Sequence, residues 1–277
     1  MPTKATFDTV WHVPDDLWSQ IAPILGPEKP PGTRGRPAVP FRTIFDAIIY
    51  VLRTGCQWSA LPRERFGAAP TTVHGRFRQW AKTGRFEQIW KQMLAVYDEE
   101  LGIDWKWLTM DGCLTKAPLG GEATGKSPVD RGKLGTKRSV LIDGRGAPIS
   151  VVVAGANTHD TTIALQTIDE MVAERPERQV YRLQHICLDK GYDYTDIIEG
   201  LLERDFILHV KKRGIKEEET IAGGKKYPAR RWKVERTNAW HNKFRRRLIR
   251  WERTFEHYLA MVDLASTLII YRILATA

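Results

Sequence analysis

Two aspartates stand where a sheet would present them for chemistry. Asp111 directly follows the apolar run Trp107–Met110 in WLTMDG, and Asp189 directly follows Ile186–Leu188 in HICLDKG. A carboxylate at a strand end is exposed at the rim of the sheet, where open α/β sheets usually bind ligands. If the two strands are neighbours, the acids converge. Like charges that close do not both stay ionised without a cation between them. Oxygen donors of this kind select Mg²⁺ or Mn²⁺. A cation so held can stabilise the attacking and leaving oxygens of an in-line phosphoryl displacement. Each Asp alone also suits a turn or a helix start, with Asp193 a candidate N-cap beyond Asp189. Asp143, in VLIDGRGAPISV, reads as the tight turn of a hairpin and is left out of the site.

A third acid adds to the pair. In a helix drawn from Arg231 to Arg250, Trp240, Phe244 and Leu248 form an apolar stripe at intervals of four. Glu235 falls on the opposite face, beside Arg231, Asn238, Asn242 and Arg246. It is one acid in a basic, hydrogen-bonding surface, so it either neutralises its arginine neighbours or binds a metal among phosphate-binding groups. The charge count supports that setting. The chain of 277 residues carries 43 Lys+Arg and 33 Asp+Glu, a net charge of +10. Between Lys225 and Arg253 lie twelve Lys/Arg and two Glu, so this one segment holds the whole excess. The balance points to a polyanionic partner.

The elements that must position these residues change character along the chain. Before residue 104 the apolar spacing is helical: Leu17, Trp18, Ile21 and Leu25; then Phe41, Ile44, Phe45, Ile48, Ile49 and Leu52; then Val73, Phe77 and Trp80; then Phe86 to Tyr97. Thr71 or Thr72 is the expected cap of the third helix. A Pro/Gly-rich stretch, residues 27–40, separates the first two helices. From Trp105 onward, short β-type runs at Trp107–Met110, Ser139–Ile142, Ile149–Val153, Ile186–Leu188 and Phe206–Val210 alternate with helical runs. This order predicts an α/β fold with a mixed five-stranded sheet and flanking helices. A mostly helical N-terminal domain, 1–104, precedes a second domain, 105–277.

Long motifs carry a resemblance over nearly the whole chain. They include GRP at Gly35–Pro37, YVLRTGCQWSALP at Tyr50–Pro62, MDGCLTKAP at Met110–Pro118, DRGKLGTKRSVLIDGRG at Asp130–Gly146, GANTHD at Gly155–Asp160, LDKGYD at Leu188–Asp193 and VERTNAWHNKFRRRL at Val234–Leu248. With these the sequence resembles the bacterial insertion-sequence transposases of the insertion-sequence-five group, which carry an Asp-Asp-Glu triad. The resemblance implies an RNase H-like core whose first and fourth strands are neighbours. It implies Asp111, Asp189 and Glu235 as catalytic, metal-binding acids, with two Mg²⁺ (or Mn²⁺) ions expected. The implied activity is binding of terminal inverted repeats, metal-dependent strand cleavage and strand transfer. In the broader pattern Tyr-x2-Arg-x3-Glu-x6-Lys, Arg231 and Glu235 fit. Tyr227 stands one residue early, with Pro228 in the Tyr position. Lys243 stands one residue late, with Asn242 in the Lys position. The rival readings are a non-catalytic DNA-binding descendant and a nuclease of the same fold without strand transfer.

Double-stranded DNA, as transposon ends and target, is the expected partner, with a homodimer forming on it. Arg34 and Arg36 flank Gly35 as in AT-hook peptides, which enter narrow A·T minor grooves. His74, Arg76 and Arg78 lie on the polar side of the third helix, as in a helix-turn-helix-like reader. The first 104 residues carry 13 Lys/Arg and 11 Asp/Glu, a balance that also suits a structural or dimerising domain. Lys133, Lys137 and Arg138 are candidate phosphate contacts in the core, with Arg231, Asn238, Asn242, Lys243 and Arg246 on the Glu235 helix. His159-Asp160 reads as a helix cap formed by the Asp, and Trp240 as core. Three cysteines without metal spacing, and no apolar N-terminal run, predict a cytoplasmic protein without a membrane span, and the resemblance implies that it is nucleoid-associated.

Overall fold

The computed structural model describes residues 11–30, 32, 34–35, 37–177, 183–210, 220–222, 225–227 and 230–277. Five helices come first: α1 Asp15–Leu25, α2 Phe41–Thr54, α3 Arg63–Phe66, α4 Pro70–Lys82 and α5 Arg85–Leu101. The sheet strands follow as β1 Trp107–Lys116, β2 Gly125–Lys126, β3 Leu134–Ile142, β4 Pro148–Gly155, β5 His185–Leu188 and β6 Ile207–Val210, with α6 Asp160–Asp169 before β5 and α7 Thr195–Glu203 after it. A separate hairpin, β7 Thr220–Ala222 and β8 Lys225–Tyr227, precedes α8 Trp232–Lys243, α9 Arg245–Leu248 and α10 Phe255–Leu274.

The helical spacing read in the first hundred residues is the spacing that is buried. On α2, Phe41, Ile44, Phe45, Ile48, Ile49 and Leu52 all point into the core. The helix stops where Gly55 takes a left-handed φ of 69° and returns its N–H to the Val51 carbonyl, a conformation that favours glycine. On α4 the start is Ala69 with Pro70 in the first turn, rather than a Thr71 or Thr72 cap. Proline is preorganised for that first turn and gives up only an N–H that has no helical partner anyway.

The sheet is mixed and has six strands rather than five, the extra one being the two-residue β2. β1 pairs antiparallel with β3, β3 with β4, while β5 and β6 run parallel to β1. β1 and β5 are therefore neighbours, with Thr109 opposite Cys187. That register sets Asp111, midway along β1, level with Asp189, where the chain leaves β5.

α10 is long and apolar enough, by length and composition alone, to cross a membrane. Here 72% of its apolar window is buried inside the molecule. It packs against α5, α4 and the sheet, and its side chains join those of α2, α4, α5 and the strands in one apolar cluster.

Candidate active site

The three acids come from three separate elements, and the charges of Asp189 and Glu235 both act on Asp111. Asp111 is partly buried in β1. Asp189 sits just past β5, where its Oδ1 accepts the Gly191 N–H at 2.6 Å and closes a short 3₁₀ turn. Glu235 lies in the first turn of α8 with a 56% exposed side chain, and its Oε1 is 3.4 Å from a guanidinium nitrogen of Arg231. Burial raises the Asp111 carboxyl to about 6; the Arg231 charge opposes that rise, and the Asp189 and Glu235 charges add to it. A carboxyl that responds to both other acids shares their field. Among the described residues, no three of these side chains close tightly enough to hold an ion as they stand. The donors themselves are all carboxylate oxygens, which suits a hard divalent cation.

What fixes Glu235 is the hairpin between β3 and β4. Asp143 is fully buried there and accepts the Tyr97 hydroxyl at 2.7 Å and the N–H groups of Arg145, Gly146 and Ala147 at 2.8–2.9 Å. Its assignment to a turn stands. The carbonyls of that turn then receive α8: Gly144 O from Lys233, Arg145 O from Arg236, and Gly146 O from the Thr237 hydroxyl at 2.8 Å. The other end of this segment is tied to β1, where the Arg250 N–H meets the Lys116 carbonyl at 2.7 Å. Asp111 and Glu235 are thus held by one hydrogen-bonded frame.

The helix itself differs from the sequence reading. It breaks at Phe244, which is extended, so α8 and α9 are separate. Its buried face is Val234, Thr237, Asn238 and His241, while Leu248 is exposed. The surface it packs on is a polar hairpin and strand, so hydroxyl and amide groups serve better there than an apolar stripe.

Several predicted DNA contacts are turned inward. Arg138 is fully buried and donates to Asn242 Oδ1 at 3.0 Å and to Cys113 Sγ at 3.4 Å, joining β3 to α8 and β1. Lys137 is buried and pairs with Asp160 at 3.1 Å. Arg246 is buried, pairs with Glu252 at 2.6 Å and donates to the Cys56 carbonyl. Asn238 is buried as well, and Asn242 is occupied by Arg138. Of these five, Lys137, Arg138, Asn238 and Arg246 are buried and Asn242 is half-buried, so they contribute to the packing between β3, α8 and the segment after it. His74 is half-buried and stacks on Trp58 at 4.8 Å. Arg76 lies over the Phe41 ring and donates to Gln79. Arg34, Arg78, Lys133 and Lys243 are exposed, and Arg231 partly so. Arg36 and Pro228 lie outside the described residues, and only the backbone of Tyr227 is described.

One acid was undervalued in the sequence. His159, not Asp160, caps α6, accepting the Thr161 N–H. Asp160 turns instead toward Gly112 of β1, whose absent Cβ leaves the space its carboxylate fills. The Tyr192 phenol is buried nearby and held protonated, first by burial and then by the charges of Asp160, Asp111 and Asp189. GANTHD and LDKGYD therefore meet behind the acids. Each motif carries a glycine and an acid, and LDKGYD adds an aromatic ring; those residues were the available signal.

Comparison with known families decides the class. Residues 104–268 match the family described as "Transposase DDE domain". This chain belongs to the DDE-domain transposases. Residues 13–90 of the transposase match a second family, "Putative transposase of IS4/5 family". Among its relatives is a Burkholderia cepacia protein named "Putative transposase for insertion sequence element IS402", 35% identical over 156 residues, covering 56% of this chain and 71% of that one. A second B. cepacia protein, named for the same element as uncharacterized, is 30% identical over 118 residues, covering 42% of this chain and 80% of its own length. A synaptic complex of the piggyBac transposase with hairpin DNA aligns with a TM-score of 0.41 at 12% identity, over 95% of this chain and 73% of that one. The family assignment rests on the sequence matches. A DDE transposase is an enzyme that acts on DNA, and its family uses divalent metal.

Proposed function

We propose that this transposase cuts DNA at the terminal inverted repeats of an insertion sequence and joins the freed 3′-hydroxyl to target DNA, using two Mg²⁺ ions held by Asp111, Asp189 and Glu235. The observation that supports this most is the Asp111 carboxyl, raised to about 6 while sharing the field of Asp189 and Glu235, acids from three separate elements. A bound divalent cation would activate the attacking oxygen and neutralise charge on the phosphodiester. The chain's own part is positioning. β1 and β5 set the spacing of Asp111 and Asp189, and the β3–β4 turn holds the helix that carries Glu235. Arg231, beside Glu235 and within the field of Asp111, stands where a scissile phosphate would gain a charge-assisted hydrogen bond.

On the same reading, residues 1–104 recognise DNA ends and residues 105–277 perform the chemistry. Arg34 and Arg36 enter a minor groove, and the exposed Arg78, Lys133 and Lys243 hold phosphates. Two copies act together on DNA, as pairing of two ends requires, and the place of action is the bacterial nucleoid. Replacing Arg34 and Arg36 with Ala should weaken end binding, measured by footprinting; an unchanged footprint would remove this segment from the interface. Titration calorimetry with Mn²⁺ tests the metal site. Wild type should bind two ions. Asp111→Ala and Glu235→Gln should each lose at least one ion while still binding DNA, and unchanged stoichiometry in both variants would refute the triad.

A further inference from the structure

The ladder between β1 and β5 ends at Thr109 and Cys187, two residues short of Asp111 and Asp189. It sets the acids level, but among the described residues no β1–β5 pair lies beyond it to resist the repulsion of two like charges. On one side Asp111 is still paired, to Val140 of β3. On the other the chain has left the sheet after Leu188 and turned through Lys190–Tyr192. The separation of the two acids therefore depends on what joins that turn to β1.

The joint is the start of α6. This helix packs against β3, β4 and the Lys190–Tyr192 turn, and its first residue, Asp160, meets β1 at Gly112. α6 thus touches the chain just after each acid. Successive side chains of a strand point to opposite faces. Asp160 occupies the side-chain space of Gly112, so it lies across β1 from the Asp111 carboxylate and braces the strand from behind. Lys137 of β3 stands on that same face, opposite Leu114, the residue two beyond Gly112. It is buried, and its Nζ lies 3.1 Å from Asp160 Oδ1. That oxygen is buried too and has no hydrogen bond among the described residues, so the ion pair is what holds it. Tyr192, at the end of the turn, is buried and feels, after burial itself, the charges of Asp160, Asp111 and Asp189 in that order. An Asp at a helix start also answers the helix dipole. An exposed Asp would do that equally well, with neither a glycine opposite nor a buried lysine.

We propose that Asp160, clamped by Lys137, is a positioning residue for the acids: it holds β1 at Gly112 against the turn after Asp189 and so sets the distance between Asp111 and Asp189. It touches the strand and Lys137 rather than a reacting group. The proposal rests on the reading of Asp111, Asp189 and Glu235 as metal ligands, and its test separates the two. Titration calorimetry with Mn²⁺ would follow the full chain as wild type, Asp160→Ala, Asp160→Asn and Lys137→Met. Thermal melting of each variant in chelator would show that it is folded at the temperature of the titration. Asp160→Ala should still bind two ions but about tenfold more weakly, the low end of the 10–100-fold effect of groups that orient metal ligands. Asp160→Asn, which keeps the shape against Gly112, should recover most of that loss. Lys137→Met, which releases the carboxylate, should weaken binding as well. Unchanged Mn²⁺ affinity in folded Asp160→Ala or Lys137→Met would make the pair purely structural and overturn the proposal. So would an Asp160→Asn as weak as Asp160→Ala. Loss of a whole ion by Asp160→Ala would overturn it too, because Asp160 would then be a ligand. If wild type bound no Mn²⁺, the reading of the three acids itself would fall. Should Asp160→Ala fail to fold, Lys137→Met takes its place with the same tenfold expectation.

Discussion

Asp111 is where the site's chemistry meets its stability. Its carboxyl is raised to about 6, chiefly by burial, so the fold favours the protonated form. A raised acid contributes stability that is full below its ordinary value of about 3.9 and is lost as pH rises through about 6. Without divalent ions, Asp111→Asn should therefore melt higher than wild type at about pH 8, with the gap closing toward about pH 4. Calorimetry in chelator checks this, and equal melting at both pH values would show that Asp111 carries no such strain. Adding Mg²⁺ should raise the melting temperature of wild type and leave the variant nearly unmoved, because ligand binding stabilises only the form that binds it. The acids themselves were legible in the sequence, since Asp111 and Asp189 each end an apolar run. Asp160 was not, because an Asp before a helical run looks like a cap, and only packing shows that His159 caps while Asp160 faces Gly112.

At the level of elements, the acids depend on how β1 meets its neighbours. The apolar run stops at Met110, yet β1 continues to Lys116, pairing with β3 residue by residue. Asp111, Gly112 and Lys116 interrupt the hydrophobic pattern, so the strand's second half could not be read from it. Gly112 is the sensitive point, because a Cβ there would collide with the Asp160 carboxylate. Gly112→Ala should cost about 1–3 kcal/mol by urea denaturation. The double variant Gly112→Ala, Asp160→Ala should cost less than the sum of the two single changes, as contacting residues do. Strict additivity would mean the two do not touch. The break of α8 at Phe244 was equally hidden. Helical spacing from Arg231 to Arg250 is continuous in sequence, but hydrogen bonds from Lys233, Arg236 and Thr237 to the β3–β4 turn, and from Arg250 to Lys116, bend the segment around the sheet.

Across the whole molecule, the positive excess divides into two jobs. Counting charge located the segment but could not say which cations face water. Arg247 and Arg250 are fully buried and lie 4.2 and 4.5 Å from the Tyr258 ring, and Arg246 is buried with Glu252. These arginines cement the acid-bearing helix to β1 and α10. Only exposed cations release counterions from DNA. Arg246→Ala should therefore cost about 3–5 kcal/mol of stability, as expected for breaking a buried pair, and leave the slope of log affinity against log salt unchanged. Lys243→Ala should do the opposite, lowering the slope by about 0.9 with little loss of stability. Folding and DNA binding are then separable within one basic segment. The central claim, that Asp111, Asp189 and Glu235 form one metal-dependent strand-processing site, is tested most directly by cleavage and strand transfer on DNA carrying the element's own terminal repeats. Wild type should cut and join in Mg²⁺ and stop in chelator, while Glu235→Gln binds the ends and cuts nothing. Full cleavage by Glu235→Gln, or by wild type without divalent metal, would contradict it.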